Sequence, residues 1–381
     1  MPGTRRRTVL YLLNSSSLGG ANRSLSVLLA GLDRERYRPL AVAPSSGPFT
    51  SRLHELDVPC TIQPLPLLGR LRASLPGKLK ATVRNALNLA RFIRILRREQ
   101  VDLIHTNTVF PLAGGMASLL LEIPHVWHLR EGIDLPEYDF RFGRTATRQI
   151  LGGLSTHMIC ISNFVRRVSV PENAQLRATV IPNALAEIPT EFTPPNSASP
   201  MVGALGLISR QKRTNQFVQA AALIAHAIPT ARFIAAGRVG SGEEQFLAAC
   251  RSDVAAAGLE SRFSWPGFVS DTEQLYADLH LLIHAGVHEA FGRVLIEAMS
   301  RGIPVIGVRS GGVPEVVEDG VTGIVVPPDD AQALADAAVS LLNDQERYRA
   351  MSIRCRQQAA ERFNPVAHVQ QVSAIYRQLL P

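Results

Sequence analysis

No stretch of this 381-residue chain reaches the roughly 18 consecutive apolar residues that a membrane-spanning helix needs. The longest apolar run, 109–121, is shorter and holds two glycines, so a helical membrane protein is not expected. The apolar run that follows Arg5, Arg6 and Arg7 breaks at Asn14, too early for a secretory leader, and 8–13 reads as a first β-strand in a cytosolic protein. Cysteine is scarce: Cys60, Cys160, Cys250 and Cys355 lie far apart with no C-x-x-C pair. That spacing argues against structural zinc and a disulfide framework, and for buried free thiols. The chain also lacks G-x-x-x-x-G-K-[ST], H-E-x-x-H and a G-x-G-x-x-G after the first strand. Kinase, metalloprotease and dehydrogenase readings lose their main support with them.

What is present is an ordinary globular composition, 46% hydrophobic and 19% charged, on a chain long enough for two domains. The net charge of +8 is unevenly placed. Up to Pro189 there are 24 Lys and Arg against 13 Asp and Glu, and beyond it 16 against 19, so all the basic excess is in the first half.

Short β-rich runs alternate with helical ones along the first half: strands at 8–13, 40–43, 103–106, 125–128, 158–161 and 180–181, helices at 21–31, 79–98, 113–121 and 143–151. Strands separated by helices imply a parallel sheet covered on both faces. Segment 186–200 holds four prolines and no helical or strand period, and reads as a linker. The alternation restarts after it, with strands at 202–208, 232–237, 263–265, 281–284, 305–308 and 323–326. The expected architecture is α/β: two Rossmann-like, doubly wound parallel-sheet domains facing a central cleft, where ligands bind at the carboxyl ends of strands. The boundaries are 1–185, a linker at 186–200, a second domain at 201–365, and a last helix at 366–381 that packs back on the first domain.

The chemistry concentrates in 288–315, HEAFGRVLIEAMSRGIPVIGVRSGGVPE. A strand ends, a loop presents Glu289, and Phe291 and Gly292 open a helix that carries Glu297 little more than a turn in. Two carboxylates therefore stand beside the N–H groups of a helix N-terminus. Such N–H groups suit a phosphate, and carboxylates suit hydroxyls. Phosphate plus polyol is the composition of a nucleotide sugar. A helix cap and a solvated surface glutamate are the competing account of the same two residues.

The pattern E-x-F-G-x-x-x-x-E, followed by a helix, a strand and G-G-x-P-E, resembles the signature of the retaining glycosyltransferase family 4, whose members have the two-domain GT-B fold. The resemblance extends over 202–327, through Gly206 to Lys212, Pro266-Gly267-Phe268 and 319–323. It implies that Glu289 contacts hydroxyls of the donor sugar, that Glu297 holds the ribose, and that the Phe291 and Gly292 amides approach sugar and phosphates. The backbone near Phe268 would contact the base. Lys212 supplies a cation where a departing diphosphate gathers negative charge. The family usually has an arginine where this chain has Leu207, and Arg210 is the candidate substitute.

In the first domain the loop 17–23 (SLGGANR) places Gly19 and Gly20 at a helix start, where a close backbone approach suits a phosphate or an acceptor hydroxyl. It resembles the family's glycine-glycine loop facing the donor; a plain tight turn is the alternative. His128, with Arg130 and Glu131, ends a strand and matches a histidine that family members bring to the donor sugar. His105, His284 and His288 are read as structural. No D-x-D pair is present to hold a metal on a diphosphate, so a metal-independent reaction with no cofactor beyond the nucleotide sugar is expected.

Between 69 and 98 there are nine Lys or Arg and no acidic residue. On a helix from Lys78, residues Leu79, Val83, Leu87, Ala90 and Leu96 are expected inward and Lys80, Arg84, Arg91, Arg94 and Arg98 outward. A surface of one sign fits an anionic membrane, peripheral to which a lipid-linked acceptor would be met. With Phe92 as the one interleaved aromatic, nucleic acid is a poorer partner. The expected activity is retaining transfer of a sugar to a glycan or lipid-linked acceptor in cell-envelope polysaccharide or glycolipid synthesis. A nucleotide-sugar epimerase and a non-catalytic glycan-binding protein on the same fold are the rivals.

Overall fold

The structure is a computed structural model and describes residues 5–67, 75–135, 138–140, 142–189, 199–269 and 271–380; the side chains of 75–81 are not described. Arg70, Arg72, the side chains of Lys78, Leu79 and Lys80, and most of the expected linker therefore lie outside the described residues. The chain divides into two compact units, Met1–Ala186 with Pro365–Pro381, and Glu187–Asn364.

Unit 1 runs β1 (Arg7–Leu13), α1 (Gly20–Ala30), β2 (Tyr37–Ala43), α2 (Pro48–Glu55), β3 (Cys60–Ile62), α3 (Leu75–Arg98), β4 (Leu103–Asn107), α4 (Ala113–Leu121), β5 (His125–Leu129), α5 (Gly143–Gly153), β6 (His157–Cys160), α6 (Asn163–Ser169) and, after a short 3-10 helix, β7 (Ala178–Val180). The seven strands form one parallel sheet in the order β3-β2-β1-β4-β5-β6-β7. Strand β1 shows why both faces are covered. Its residues alternate sides. Val9, Tyr11 and Leu13 pack with Leu25, Leu28, Phe49 and Leu53 of α1 and α2. Leu10 and Leu12 pack with Phe92 and Leu96 of α3 and with Ala113 and Ala117 of α4.

Helix α3 matches the sequence expectation at Leu96, which is buried, and at Arg84, Arg91, Arg94 and Arg98, which are exposed, but not at Val83, Leu87 and Ala90. Its buried row is Asn88, Phe92 and Leu96, at four-residue spacing. Val83 and Leu87 are 54% and 56% exposed, and Ala90 is exposed too, alongside Arg84, Arg91 and Arg94. The phase is set by the bulk of Phe92 in the core and by Gln63, whose Nε2 donates to the Asn88 carbonyl at 2.7 Å.

Unit 2 runs β8 (Met201–Leu205), α7 (Thr214–Ala227), β9 (Arg232–Ala236), α8 (Glu244–Ala256), β10 (Phe263–Gly267), α9 (Glu273–Ala277), β11 (Leu281–His284), α10 (Arg293–Ser300), β12 (Val305–Val308), α11 (Val313–Val316), β13 (Gly323–Val326), α12 (Ala331–Asn343) and α13 (Gln345–Arg362). Its six strands are parallel in the order β10-β9-β8-β11-β12-β13. The last helix, α14 (Pro365–Leu379), belongs to unit 1, where Val369, Val372, Ile375 and Tyr376 join the core on the α1 face. Each unit holds one of the two tryptophans. Trp127 on β5 is fully buried and donates to the Thr108 carbonyl at 2.7 Å; Trp265 on β10 is half-buried and stacks on Phe263. Among the described residues no helix is long and apolar enough to cross a membrane.

Candidate active site

In unit 2 the chain leaves β8 in one direction for β9 and β10, then returns to β11 on the other side of β8 and moves away. A doubly wound sheet opens a crevice at this reversal, outside the carboxyl ends of the two central strands. Lys212 follows β8 and Glu289 follows β11, so both candidates hang over that point. A small pocket at the end of β8 is lined there by Gly206, Leu207, Ile208, Lys212, Thr214 and His284.

The Lys212 ammonium pairs with Glu289 Oε2, and His284 Nε2 lies 3.2 Å from the same oxygen. Burial pushes the Glu289 carboxyl up, but Lys212 and then His284 outweigh it and hold the group well below the usual carboxylate range. Glu289 is thus an ionised carboxylate at any working pH. Its backbone is fixed as tightly as its side chain: the Glu289 carbonyl accepts the Gly312 N–H at 2.7 Å, and the His288 N–H donates to Ser310 Oγ at 3.0 Å. His288 itself is held in the left-handed region, at φ 55°. Strain of this kind persists only where the surroundings over-determine the backbone.

Helix α10 starts from Gly292, at φ 86°, with no side-chain cap. The Phe291 ring is buried edge-on against Phe363, so only its backbone is left to meet a ligand. Glu297 is held from two sides: the Tyr276 hydroxyl donates to Oε2 at 3.0 Å and the Arg293 guanidinium to Oε1 at 3.1 Å. Arg301 lies 4.7 Å over the Tyr276 ring and pairs with Glu273. Phe268, after β10, is 48% exposed with the Arg238 guanidinium 4.3 Å over its ring.

Arg210, the candidate substitute for the arginine missing at Leu207, is engaged elsewhere in this structure. It turns to α8, 3.4 Å from Glu243 and over the Phe246 ring, while its own N–H donates to Glu243.

In unit 1 the corresponding reversal lies between β1 and β4. Gly19 caps α1 and Gly20 begins it, and the preceding loop is tied by the Asn22 side chain to the carbonyls of Ser15 and Ser17. His128 is not at an open strand end: its side chain is fully buried, 5.3 Å from the His105 ring. Burial, then Arg130 and His105, holds it well below the ordinary imidazole range, and neither of its ring nitrogens has a hydrogen-bond partner among the described residues. Arg130 bridges Asn107 and Asn183. Burial pushes the Glu131 carboxyl up to about 7 even though it accepts the Val109 N–H. His105 donates to or accepts from the Tyr376 hydroxyl at 2.7 Å, a structural role.

His284, Tyr276, Arg293 and Gly311 are the site residues that sequence reasoning missed. His284 had a signal, since it is the last residue of a strand whose following loop carries Glu289; Gly311 had one as the first glycine of G-G-x-P-E, though not of its contact with Glu289, and Tyr276 had none. Among the described residues no group of three or more His, Cys, Asp or Glu is disposed to hold a metal ion.

Comparison with known proteins places these features in a family. The profile for Glycosyl transferases group 1 matches residues 190–358, and that for Glycosyltransferase Family 4 matches 18–186. The chain is 38% identical over 122 residues to N-acetyl-alpha-D-glucosaminyl L-malate synthase of Bacillus anthracis, covering 32% of each protein. It is 29% identical over 185 residues to the lipopolysaccharide core biosynthesis mannosyltransferase LpsB of Rhizobium meliloti, covering 48% of this chain and 53% of that one. These alignments span less than two thirds of either relative. The fold is shared with Anabaena HepE, crystallised in complex with UDP, at a TM-score of 0.81 and 24% identity over 97% of this chain and 100% of that one. The motif residues gathered at the β8/β11 reversal and the two adjoining profile matches together assign this chain to the GT-B glycosyltransferases of group 1 and family 4.

Proposed function

We propose that the chain transfers a sugar from a nucleotide diphosphate sugar to a hydroxyl of a glycan or lipid-linked acceptor, with retention of configuration and without a metal. The observation that carries this reading is the convergence of Lys212 and His284 on one oxygen of the Glu289 carboxylate beside the uncapped start of α10, with Glu297 eight residues on. In this reading the diphosphate lies at the α10 N-terminus and draws on Lys212. As the glycosidic bond breaks, the ammonium meets the new negative charge, and His284 stays beside Glu289 as its remaining partner. Glu289 is ionised and accepts hydrogen bonds from the sugar hydroxyls. His128 is the proposed donor contact of unit 1; it is a neutral, buried imidazole whose ring nitrogens have no hydrogen-bond partner among the described residues, so this role requires the site to open to it. The names of the relatives, which act on lipopolysaccharide core and on L-malate, support a cell-envelope glycan or another hydroxyl acceptor. The exposed basic face of α3 supports work at the inner surface of an anionic membrane.

Thermal unfolding against UDP, GDP, ADP, TDP and CMP, with and without magnesium, tests the donor reading. A ligand at a hundred times its dissociation constant stabilises the fold by about 2.7 kcal/mol, several degrees in midpoint. A shift with one diphosphate that magnesium does not change is the expected result. Glu297→Ala should reduce that shift, and Glu289→Ala should keep it while abolishing transfer. No shift with any nucleotide would overturn the proposal.

A further inference from the structure

Glu297 does not stand alone at its position. It sits on α10 with 18% of its side chain exposed, and each carboxylate oxygen already has one donor: Tyr276 on Oε2 at 3.0 Å and Arg293 on Oε1 at 3.1 Å. The two donors come from different places, Arg293 one turn back on the same helix and Tyr276 from α9, 21 residues away. Tyr276 is itself locked. Its ring is 3% exposed and covered by Arg301, whose guanidinium also donates to the Glu297 carbonyl at 3.1 Å and pairs with Glu273. Burial, and then the charge of Glu297, pushes the phenol well above its ordinary range, so it remains a donor at any working pH.

An ionised carboxylate has about four acceptor positions in its plane, two on each oxygen. With one on each oxygen occupied, the carboxylate cannot rotate about its terminal bond without breaking both contacts, and one acceptor position per oxygen is left for a ligand. Two adjacent acceptors of fixed orientation match a vicinal diol. They match a single hydroxyl poorly, because one desolvated acceptor then stays unfilled.

We propose that Tyr276 is a positioning residue that fixes the Glu297 carboxylate as a vicinal-diol receptor, so that the site selects ribonucleoside over 2′-deoxyribonucleoside diphosphates. This rests on the donor reading above, in which Glu297 meets the ribose. Tyr276 touches no substrate; it acts by denying Glu297 the orientations that a lone side chain would sample.

The test is titration calorimetry of the full chain with UDP, GDP and ADP and with the 2′-deoxy counterpart of each, for wild type, Tyr276→Phe, Glu297→Ala and the double variant. Tyr276→Phe keeps the ring under Arg301 and removes only the hydroxyl, and thermal unfolding of the same samples reports the fold. Wild type is expected to favour the ribo form by about tenfold, the worth of one hydrogen bond to a charged group. Tyr276→Phe is expected to lose about three- to tenfold in affinity for the ribo form and little for the deoxy form, so the preference collapses. In the Glu297→Ala background the same change is expected to do nothing more, because its effect passes through that carboxylate. Equal losses for ribo and deoxy forms, unchanged selectivity, or additive losses in the double variant would overturn the positioning role while leaving the donor site intact. Wild-type protein that binds none of these nucleotides would instead overturn the donor reading and this inference with it.

Discussion

Glu289 owes its place to Gly311 as much as to Lys212. Gly311 is at φ 61°, and a Cβ added there would fall on the Glu289 backbone, 2.7 Å from its nitrogen and closer still to its carbonyl. Backbone atoms cannot swing aside as a side chain does, so the whole loop after β11 would have to move. Gly311→Ala is expected to destabilise the protein by about 2 kcal/mol, the sum of a left-handed alanine and a forced displacement. It should abolish transfer at the same time, because the Gly312 N–H that holds the Glu289 carbonyl moves with it. Thermal unfolding and a donor-consumption assay on one sample check both; a variant with wild-type activity would show that the loop tolerates the shift.

Elements differ in how openly the sequence announces them. Strands such as β1 and β11 were legible because a parallel strand buried on both faces tends to an apolar run, as 9–13 and 281–283 are. Cys60–Ile62 and the short helices α2, α9 and α11 escaped notice, being too brief to show a period. The pair of glutamates was legible because one loop and one helix hold both. Its contacts were not: Tyr276 reaches Glu297, and Gly311 reaches Glu289, only through the folding of separate segments onto the carboxyl end of one sheet. Helix α3 failed in part, for another reason. Its apolar residues occur on more than one side, and packing of Phe92 chose among them. The choice leaves Val83, Leu87, Arg91 and Arg94 as one exposed row at three- and four-residue spacing, apolar and basic together. Such a row suits the boundary of an anionic bilayer, where each basic residue adds on the order of 1 kcal/mol. Leu87→Ser with Arg91→Ser and Arg94→Ser is expected to remove most binding to vesicles that contain phosphatidylserine, measured by co-sedimentation. Retention by the triple variant, or no binding by wild type, would refute attachment through this helix.

Across the whole molecule, acid should act on the two units unequally. Burial lowers His125 of unit 1 to about 4, and His105 and His128 further in the same direction. Each therefore binds a proton more weakly folded than unfolded. Between about pH 6.5 and 4 the unfolded chain takes up protons that the folded one refuses, so stability is lost as pH falls; His125 alone accounts for about 3 kcal/mol by pH 4. His157 is lowered in the same direction, and Glu131, raised to about 7, works the opposite way over pH 7 to 4.5, one group against four. In unit 2 one histidine, His280, is lowered by burial, and the depressed carboxyl of Glu289 holds its contribution until the pH falls into the ordinary carboxylate range. Unit 1 is expected to open first. Two single-tryptophan variants, Trp265→Phe to follow Trp127 and Trp127→Phe to follow Trp265, report each unit by fluorescence on acidification. Coincident transitions, or Trp265 leading, would refute the prediction.

The membership of α14 in unit 1 also sets an order of events at the ribosome. Val369, Val372, Ile375 and Tyr376 complete a core that begins with Val9, yet they are translated after all of 187–364. At about 5–20 residues per second, unit 1 waits on the order of ten to forty seconds for the part of its α1-side core that α14 supplies, while 187–364 are being made. The later-encoded unit can therefore finish folding first, and the nascent first unit is the part that a chaperone would have to shield.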